Sequence, residues 1–541
     1  MYKTIELKKS PFLILIIIAF TFFNCAKKGR PSGGPKDEEA PLLVTTSPPY
    51  QTVNFETDEI RIEFNEYITL KDLNKQLVVS PPLKTPSLIT PQGGPSKFIT
   101  IKILDTLLPN TTYTFNFGNS VQDNNEGNKL ERFKYVFSTG SYIDSLSLKG
   151  SAKNAFESDD VKDVKMLLYK LDDAFTDSII YKRKPDYVTS TLDTSNYEFT
   201  NLKHGTYLLL ALKERTSNYV FNPKTDRIGF YQDTIVLPRD SVINKPLSLF
   251  KEVLPFTFKR GRELRKGQLV FGYEGDAKGL TAEVLSDVPE DFKSVSLFDK
   301  ARDTLNFWHS KIENDSLLFK ITKGDFTDTI TVKLRKKQLD SLTISTSVRG
   351  ILHYTDTLFF TSNNPIVKID PSKVSLTTTK DSINVPFTPF ISKTDLRVGF
   401  LFEKKFKENY SINLYPEALK DVFNFTNDST KVNFRTVDVE DYGDITVSVL
   451  NSERIPVIIE LTDVKDKLER RQFINNSQTL KFEYLQPKEY KIRVIYDINN
   501  NGKWDSGKFL FRTQPEKVEY LPEIQPLRPN WSLNANITIK N

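Results

Sequence analysis

Alternation of apolar and polar residues dominates this chain and predicts β-strands. Ile60, Ile62 and Phe64 alternate with Arg61 and Glu63. A two-residue period places successive side chains on opposite faces of a strand, so this pattern predicts a strand with one buried face. The same period returns in three later stretches, at residues 113–117, 317–321 and 330–334.

Turn-forming residues separate the predicted strands. Clusters of Asp, Asn and Gly occur at residues 123–128 and 499–502, and similar breaks recur along the chain. Many short strands with a turn about every 8–12 residues are typical of sandwiches and barrels. Sustained helical periodicity is scarce, and only residues 463–472 predict a short helix or a long charged loop. The predicted fold class is therefore all-β, with tandem sandwich modules.

Two internal similarities organise these strands into modules. The first pairs residues 110–139 with residues 409–436, where an aromatic-rich strand, a polar loop bearing Asp and Asn, and a closing strand follow one another. The second pairs residues 199–212 with residues 482–496, where a Phe-x-x-Leu stretch and a turn lead into a strand that begins with Tyr. The predicted order is Ig-like, small sandwich, a β-segment of unclear type, Ig-like, small sandwich.

The repeats and the shifts in composition predict seven segments. Two short segments precede the modules, and five modules of roughly 100 residues each follow, which is a typical domain size. The predicted bounds are a signal peptide at 1–24, a flexible tether at 25–41, an Ig-like domain at 42–140, a small β-sandwich at 141–251, a β-sandwich of unclear type at 252–350, an Ig-like domain at 351–440 and a small β-sandwich at 441–541.

The N-terminus has the organisation of a lipoprotein signal peptide. Lysines precede an apolar run at residues 11–23, which is too short for a transmembrane helix of about 20 apolar residues. Cys25, the only cysteine, follows at once, so we predict lipid attachment to its thiol and cleavage after Asn24. Residues 22–24 differ from the usual lipobox, and the alternative is a plain signal peptide with an incidental cysteine.

The charge of the mature chain argues against a nucleic-acid partner. The full sequence carries a net charge of +6, and removing residues 1–24, with three Lys and one Glu, leaves +4. No basic patch stands out against this near balance. Residues 26–41 are polar and rich in Gly and Pro, which predicts a flexible tether between the lipid and the first module.

Several motifs in order carry a family resemblance. They are CAKKGRPSGGPKDEEAP at 25–41, IRIEFNE at 60–66, VSPP at 79–82, NTTYTFNFG at 110–118, DNNEGN at 123–128 and VFSTG at 136–140. They resemble the SbsA-type Ig-like domain and, more narrowly, the Bacteroidota envelope lipoproteins that carry this domain just after the lipidated cysteine. The small sandwiches resemble prealbumin-like or carboxypeptidase-regulatory-like domains. The resemblance implies an envelope protein and brings no known activity.

The resemblance also bears on localisation. In Bacteroidota lipoproteins, acidic residues just after the cysteine favour export to the outer surface. Residues 26–30, AKKGR, contain none. The resemblance therefore implies a lipid-anchored protein of the outer membrane that faces the periplasm rather than the cell surface.

One loop in the last module has the spacing of a calcium site. Asp497, Asn499, Asn501 and Asp505 occupy positions 1, 3, 5 and 9 of an EF-hand-like loop, with Gly at position 6. Position 12 is Lys508 instead of a bidentate Glu, and two carboxylates predict low affinity. The alternative is a hairpin turn rich in Asn and Gly. Apart from this calcium hypothesis, the sequence predicts no cofactor.

A short pattern of Asp, then Ser or Thr, then an aliphatic residue or Thr recurs along the chain. It resembles the O-glycosylation acceptor pattern of Bacteroidota periplasmic proteins. The alternative is structural, because Asp ends turns and Ser or Thr opens strands, and both can hold at once. The predicted acceptors include Thr106, Ser145, Ser178, Thr234 and Thr357.

Candidate catalytic residues are few. His204, His309 and His353 lie far apart in the sequence, and none belongs to a metal-binding or nucleophile motif. The sequence has no Gly-rich phosphate loop, G-x-S-x-G elbow or H-E-x-x-H motif. These observations predict a protein without catalytic activity.

Two classes of function follow from this sequence. The first is a lipid-anchored structural or binding protein whose stacked sandwiches form a semi-rigid rod, with the membrane and an envelope protein or a glycan as partners. The alternative is an envelope enzyme acting on glycans, with its catalytic segment within 252–350. Trp308 in that segment could stack on a sugar or fill a core. Asp and Glu are plentiful along the chain, so two carboxylates could act on a glycosidic bond, but nothing in the sequence selects such a pair.

Overall fold

The computed structural model describes residues 36–335, 338–522 and 524–540, and over these residues the chain is built from small, mostly antiparallel sheets. This confirms the predicted all-β class. The chain divides into two compact units. The first extends to Ile143 and the second begins at Asp144, except that residues 79–82 group with the second unit. The signal peptide, Cys25 and most of the tether lie outside the described residues. Within them, no helix is long and apolar enough to cross a membrane.

The first Ig-like module lies in the first unit, apart from residues 79–82. Its elements are β1 (Leu43–Ser47), β2 (Glu59–Leu70), α1 (Leu73–Gln76), β3 (Val78–Ser80), β4 (Leu88–Thr90), β5 (Ser96–Lys102), β6 (Thr112–Gly118), β7 (Val121–Asp123) and β8 (Phe133–Ser138). Strand β2 pairs with β1, β5 and β7, and β6 pairs with β8. Ile60, Ile62 and Phe64 of β2 are buried while Arg61 is exposed, as the alternation predicts.

The second unit begins with the first small sandwich and ends with the second. Strands of the first are β9 (Leu146–Asn154), β10 (Lys165–Lys170), β11 (Tyr187–Ser190), β12 (Asn196–Leu202), β13 (Gly205–Lys213), β14 (Arg227–Phe230), β15 (Ile235–Leu237) and β16 (Leu247–Leu249), with a 3-10 turn at Asp177–Tyr181. Between the two lie the central sandwich, with β17 (Thr257–Arg265), β18 (Gln268–Glu274), β19 (Thr281–Val284), β20 (Ser294–Asp299), β21 (Thr304–His309), β22 (Ser316–Lys323) and β23 (Phe326–Lys333), and the second Ig-like module.

The last two modules complete the second unit. The second Ig-like module has β24 (Ile344–Thr346), β25 (Leu358–Ser362), β26 (Ile366–Ile369), β27 (Val374–Thr378), β28 (Phe387–Ile391), β29 (Arg397–Phe402), β30 (Asn409–Leu414), β31 (Leu419–Asp421) and β32 (Thr430–Arg435). The second small sandwich has β33 (Gly443–Leu450), β34 (Val457–Thr462), β35 (Leu468–Ile474), β36 (Gln478–Leu485), β37 (Lys491–Tyr496), β38 (Val518–Tyr520) and β39 (Ser532–Thr538). Further 3-10 turns lie at Pro371–Lys373, Val439–Asp441 and Phe509–Phe511.

The two small sandwiches share one topology. In each, the first strand (β9 or β33) pairs antiparallel with β12 or β36 and parallel with the last strand, β16 or β39. Tyr207 and Tyr490 each donate the phenol hydrogen to the carbonyl four residues earlier, at Lys203 (3.0 Å) and Gln486 (2.7 Å). The internal similarity of the sequence is therefore a structural repeat.

The prediction of a short helix or a long charged loop at 463–472 holds for its first half only: residues 463–467 form a turn, and residues from Leu468 belong to β35. This strand pairs with β34 on one side only, so it is the edge of its sheet. An edge strand exposes much of its surface and tolerates charged side chains. Arg471 also has a partner within the fold, since it reaches the buried carboxylate of Glu460 in β34. The second half of the charge run thus lies on an edge strand.

The two Ig-like modules share hydrogen bonds as well as strand order. The hydroxyls of Tyr113 and Tyr410 each accept the backbone N–H five residues earlier, at Leu108 and Lys405, both at 2.8 Å. In the first module, the buried Asp123 accepts the N–H groups of residues 125–128 at 2.7–3.0 Å. Burial opposes its charge, but these four donors together lower the pKa of Asp123. The polar loop of the sequence repeat is therefore a carboxylate-centred turn.

Trp308 fills the junction between the central sandwich and the second Ig-like module. Its ring is buried and packs with Leu297 of β20 and with Val422 and Phe423, which follow β31. A ring enclosed on these sides cannot stack on a sugar, so of the two roles that the sequence left open for Trp308, the structure supports the core residue.

Four aromatic side chains join the second Ig-like module to the second small sandwich. The ring centroids of Tyr354 and Phe406 lie 3.9 Å apart. Tyr484 of β36 packs on both, at 5.1 and 5.5 Å, and Tyr442 lies 6.2 Å from Tyr484. Tyr442 also accepts the backbone N–H of Tyr354 at 3.1 Å. Aromatic pairs at such distances stabilise beyond the area they bury, so this junction is firmly packed.

The buried His309 predicts a loss of stability in mild acid. Burial lowers its pKa below the usual 6.5, although a hydrogen bond with the Ser310 carbonyl opposes this shift. Below about pH 6.5 the imidazole of His309 therefore takes up a proton more readily in the unfolded chain than in the folded one. The free energy of unfolding is unaffected by this histidine above that pH and falls as the pH drops below it. We expect His309→Gln to reduce the fall in melting temperature between pH 7.5 and 5.5, measured by calorimetry. Part of the fall should remain, because burial also lowers the pKa of His353. The same change at the exposed His204 should leave the pH profile as it is.

Candidate binding surface

The two small sandwiches pack against each other, although two other modules separate them in the chain. Phe156, in the loop after β9, lies 4.9 Å from the ring of Trp504 and 4.0 Å from the guanidinium of Arg493. Ile458, Ile495 and Val518 of the second small sandwich complete its apolar surroundings. A simple stack in chain order would keep these modules apart, so the predicted rod is wrong for this part of the protein.

The contact is reciprocal, because the second small sandwich inserts a ring of its own. Phe509 is fully buried, 0% exposed, and packs edge-on against Phe230 of β14 at 5.5 Å. Its backbone N–H donates to the carboxylate of Glu252 at 2.7 Å, and burial raises the pKa of Glu252. Gln514 donates its amide to the Phe230 carbonyl at 2.9 Å. Each sandwich therefore holds an aromatic anchor of the other, and we call this pair of contacts the clasp.

A buried ion network lies under Phe156. Glu460 is 0% exposed and Arg493 is 3% exposed, and Nε of Arg493 donates to the carboxylate at 2.7 Å. Arg471 donates to the other carboxylate oxygen at 2.7 Å. Burial by itself lowers the pKa of Arg493, but contacts with Tyr520 and Glu460 outweigh it and raise this pKa. The network thus keeps a fixed positive charge beneath the Phe156 ring.

A cavity of about 700 Å³ opens beside the clasp. Its walls come from the end of β9 and the loop that follows, from β38 and from β39. Val494, Val518 and Ile537 give it an apolar floor. The charged side chains on its walls are mostly acidic: Lys153, Glu157, Asp159, Asp160 and Glu519.

The candidate calcium loop follows β37, and the structure brings its four residues together. The buried Asp497 accepts the backbone N–H groups of Asn501 at 2.9 Å and Gly502 at 2.8 Å. The side-chain amides of Asn499 and Asn501 both donate to one carboxylate oxygen of Asp505. The four residues thus belong to one hydrogen-bonded turn.

The equivalent loop of the first small sandwich uses the same hydrogen bonds. Glu214 follows β13 as Asp497 follows β37. Its carboxylate accepts the N–H groups of Asn218 at 2.7 Å and Tyr219 at 3.0 Å, again four and five residues later. A carboxylate at this position thus organises the turn in both copies. Within the described residues, no group of three or more His, Cys, Asp and Glu is placed to hold a metal ion.

Calcium binding at the Asp497 loop remains a prediction that melting experiments can check. We expect millimolar calcium to raise the melting temperature by a few degrees, since a ligand that binds only the folded state stabilises it. Asp505→Asn should abolish this shift, because it removes one of the two carboxylates. Magnesium and Asp303→Asn, an exposed change in the central sandwich, serve as controls. If calcium leaves the melting temperature unchanged, the calcium hypothesis is contradicted and the loop is a hairpin turn.

The predicted glycosylation acceptors lie mainly at the surface. Thr106, Ser145, Ser178 and Thr234 are exposed, whereas Thr357 is half-buried. Glycan attachment at these hydroxyls stays a prediction. Intact mass of the native protein would test it, and a mass equal to the bare polypeptide with its lipid would contradict it.

Sequence reasoning missed the clasp residues and the buried ion network. One pattern could have indicated the network. Glu460 and Arg493 are single charged residues inside the apolar stretches 457–461 and 492–496. A lone charge of opposite sign in each of two buried strands is typical of a buried pair. The chain has 39 phenylalanines, and nothing in the sequence distinguishes Phe156 or Phe509 from the rest.

Comparison with known proteins identifies the first module. Residues 37–139 match the bacterial Ig-like domain family. This match supports the Ig-like fold predicted for that part of the chain. It covers one module, and no curated protein matches the chain.

Solved structures share only a loose likeness with the chain. Domains 1–6 of the surface layer protein SbsC are 13% identical, covering 91% of this chain and 68% of that one with a TM-score of 0.16. Titin domains A168–A170 are 15% identical over 51% of this chain and 98% of theirs, with a TM-score of 0.14. The major pilin subunit BcpA of Bacillus cereus is 11% identical over 73% and 99%, also at 0.14. Such TM-scores carry no argument about function.

Proposed function

We propose that this protein is a lipid-anchored protein of the cell envelope with a structural or binding role and without catalytic activity. Cys25 provides the anchor, and the protein faces the periplasm from the outer membrane. The clasp is the observation that carries the proposal. It fixes the two small sandwiches to each other and brings loops from distant parts of the chain to one acidic cavity, which preorganises a surface for a partner.

The module junctions support a rigid binding platform. Trp308 fills the junction of the central sandwich with the second Ig-like module, and the Tyr354 cluster joins that module to the second small sandwich. Side chains that are locked by packing keep binding surfaces in place at low entropic cost. The four modules of the second unit therefore present their loops in a defined arrangement.

Membrane attachment is tested by Cys25→Ser. We expect the unaltered protein to sediment with membranes and the variant to remain in the periplasmic fraction, because acyl chains on Cys25 would provide the attachment. Ser32→Ala, a change in the same predicted tether, is the control and should sediment normally. A Cys25→Ser protein that still sediments would contradict the anchor, and degradation of the wild type by protease added to intact cells would contradict the periplasmic face.

The binding role is tested by crosslinking in intact cells followed by purification and mass spectrometry. We expect the wild type to capture a defined envelope protein or glycan, and Phe509→Ala to capture less of it because the clasp is opened. Phe511→Ala, two residues away and 71% exposed, should capture as much as the wild type. Hydrolysis of envelope glycans by the purified protein would replace this proposal with the enzyme alternative.

A further inference from the structure

The two copies of the small sandwich differ at one seam between their sheets. In the first copy, Ile228 of β14 and Phe250, just after β16, exchange two backbone hydrogen bonds of 2.8 Å. These bonds close the seam between the two sheets. In the second copy the corresponding strands are β38 and β39, and among the described residues no strand pairing joins them. Both strands line the cavity beside the clasp, together with residues of the first small sandwich, so the seam is closed in one copy and open in the other.

At the open seam, the outer edge of β39 pairs with no other strand of the described part of the chain. The carbonyl of Trp531 accepts the N–H of Asp444 at 2.9 Å, and the N–H of Ile539 donates to Leu450 at 2.8 Å. Odd-numbered residues of this parallel pair therefore bond to β33, because successive residues of a strand direct their backbone groups to opposite sides. The residues whose N–H and C=O groups point away from the sheet are Ser532, Asn534, Asn536 and Thr538.

This edge has none of the usual protections against pairing. Strand β39, SLNANIT, carries no charged residue and no proline, and its register with β33 is regular over all seven residues. Natural proteins usually blunt a free edge with a charge, a proline, a bulge or a short strand. The corresponding edge of the first copy, β16, is three residues long and follows Pro246. The exposed edge of β39 is thus suited to accept another strand.

The charge beside the edge indicates what the added strand carries. Asn536 and Thr538 line the cavity together with the exposed Asp159 and Asp160 of the Phe156 loop. Two of the four wall carboxylates have cationic partners, since Glu157 pairs with Arg227 at 2.8 Å and Glu519 pairs with Lys517 at 2.9 Å. Asp159 and Asp160 are therefore the carboxylates that an incoming cation can use. A segment with basic side chains is therefore the complementary one.

We propose that the edge of β39 binds an extended peptide segment of a partner protein, which adds a strand to the sheet and directs Lys or Arg side chains towards Asp159 and Asp160. Main-chain hydrogen bonds supply affinity in this mode, and the cavity and its carboxylates supply selectivity. The proposal rests on the binding role proposed above and names the chemistry of the partner.

Peptide titration tests this proposal directly. The protein is the mature chain with Cys25→Ser, and the probe is a fluorescent octapeptide that alternates Val and Thr with three Lys. Two matched probes have Glu in place of Lys, or N-methyl groups that block strand pairing. We expect a micromolar Kd for the Lys probe and about tenfold or weaker binding for each matched probe, measured by anisotropy.

Variants of the chain locate the binding. Asn536→Pro removes one outward N–H and should weaken the Lys probe about tenfold with an unchanged melting temperature, because proline is tolerated at edges. Should that variant unfold, Asp159→Asn/Asp160→Asn serves instead and should weaken the Lys probe alone. Asp172→Asn/Asp173→Asn, an exposed pair outside the cavity in the same sandwich, is the control.

Three outcomes would overturn the proposal. They are equal binding of the Lys and N-methyl probes, no binding of any probe at about 1 mM, and a dimeric chain that Asn536→Pro converts to a monomer. The last would make a second copy the occupant. A specific crosslinked partner in cells together with failed peptide titrations would leave the proposed function intact and remove only this inference.

Discussion

Phe509→Ala destabilises the second unit by about 3–5 kcal/mol and releases the two small sandwiches from each other, since that is the usual cost of removing a buried aromatic side chain. Its ring is fully buried and packs edge-on against Phe230 at 5.5 Å. The truncation also loosens the turn, which weakens the hydrogen bond from the backbone N–H of residue 509 to Glu252. Hydrogen exchange should rise in β14 and around residues 505–515, and the unfolding midpoint in urea should fall.

Phe511→Ala is the matched control for this result. The two phenylalanines share one 3-10 turn, but Phe511 is 71% exposed. Surface truncations of this kind usually change stability by less than about 0.5 kcal/mol. Equal effects of the two substitutions would contradict the anchoring role of Phe509 and, with it, the clasp.

Glu460→Gln is expected to cost about 3–5 kcal/mol, because it leaves the buried guanidinium of Arg493 without its counter-charge. The carboxylate of Glu460 is inaccessible to solvent and accepts hydrogen bonds from Arg493 and Arg471. Water cannot replace the lost partner at a site covered by the Phe156 ring. The change should appear as a lower urea midpoint and as weaker contact between the small sandwiches.

Two further variants separate lost pairing from lost packing at this network. Glu460→Leu/Arg493→Leu removes both charges and should be more stable than Glu460→Leu alone, since no unpaired charge remains buried. Glu483→Gln breaks the exposed pair with Lys481 and should change stability by about 0.5 kcal/mol or less. A double variant no better than the single one would show that packing, and not charge pairing, sets the cost.

The clasp and the proposed peptide site are physically linked. The Phe156 loop that anchors the first small sandwich also carries Asp159 and Asp160 to the cavity, and β39 supplies the opposite wall. Opening the clasp with Phe509→Ala should therefore weaken peptide binding even though Phe509 does not line the cavity. Strand addition and the arrangement of the modules would depend on the same contacts.

Local patterns in the sequence determined the all-β class, most of the strands and the repeats. Alternation such as that of Ile60, Ile62 and Phe64 is a property of a single strand, so it can be recognised without knowing the neighbours. Turn chemistry is local in the same way, which is why the four residues of the Asp497 loop could be grouped from their spacing alone. The paired tyrosines Tyr207 and Tyr490 show that matching sequence produced matching hydrogen bonds.

Only the tertiary structure decided what the modules do to one another. Phe156 and Phe509 meet their partners across hundreds of residues, and the role of Trp308 depends on Val422 in another module. Residues 468–472 of the charge run form part of an edge strand, because β34 pairs with them on one side only. The two small sandwiches share one fold but differ at the seam between their sheets. A seam is closed only where two strand edges approach within hydrogen-bonding distance. Such approaches depend on packing between distant segments, which no local period encodes.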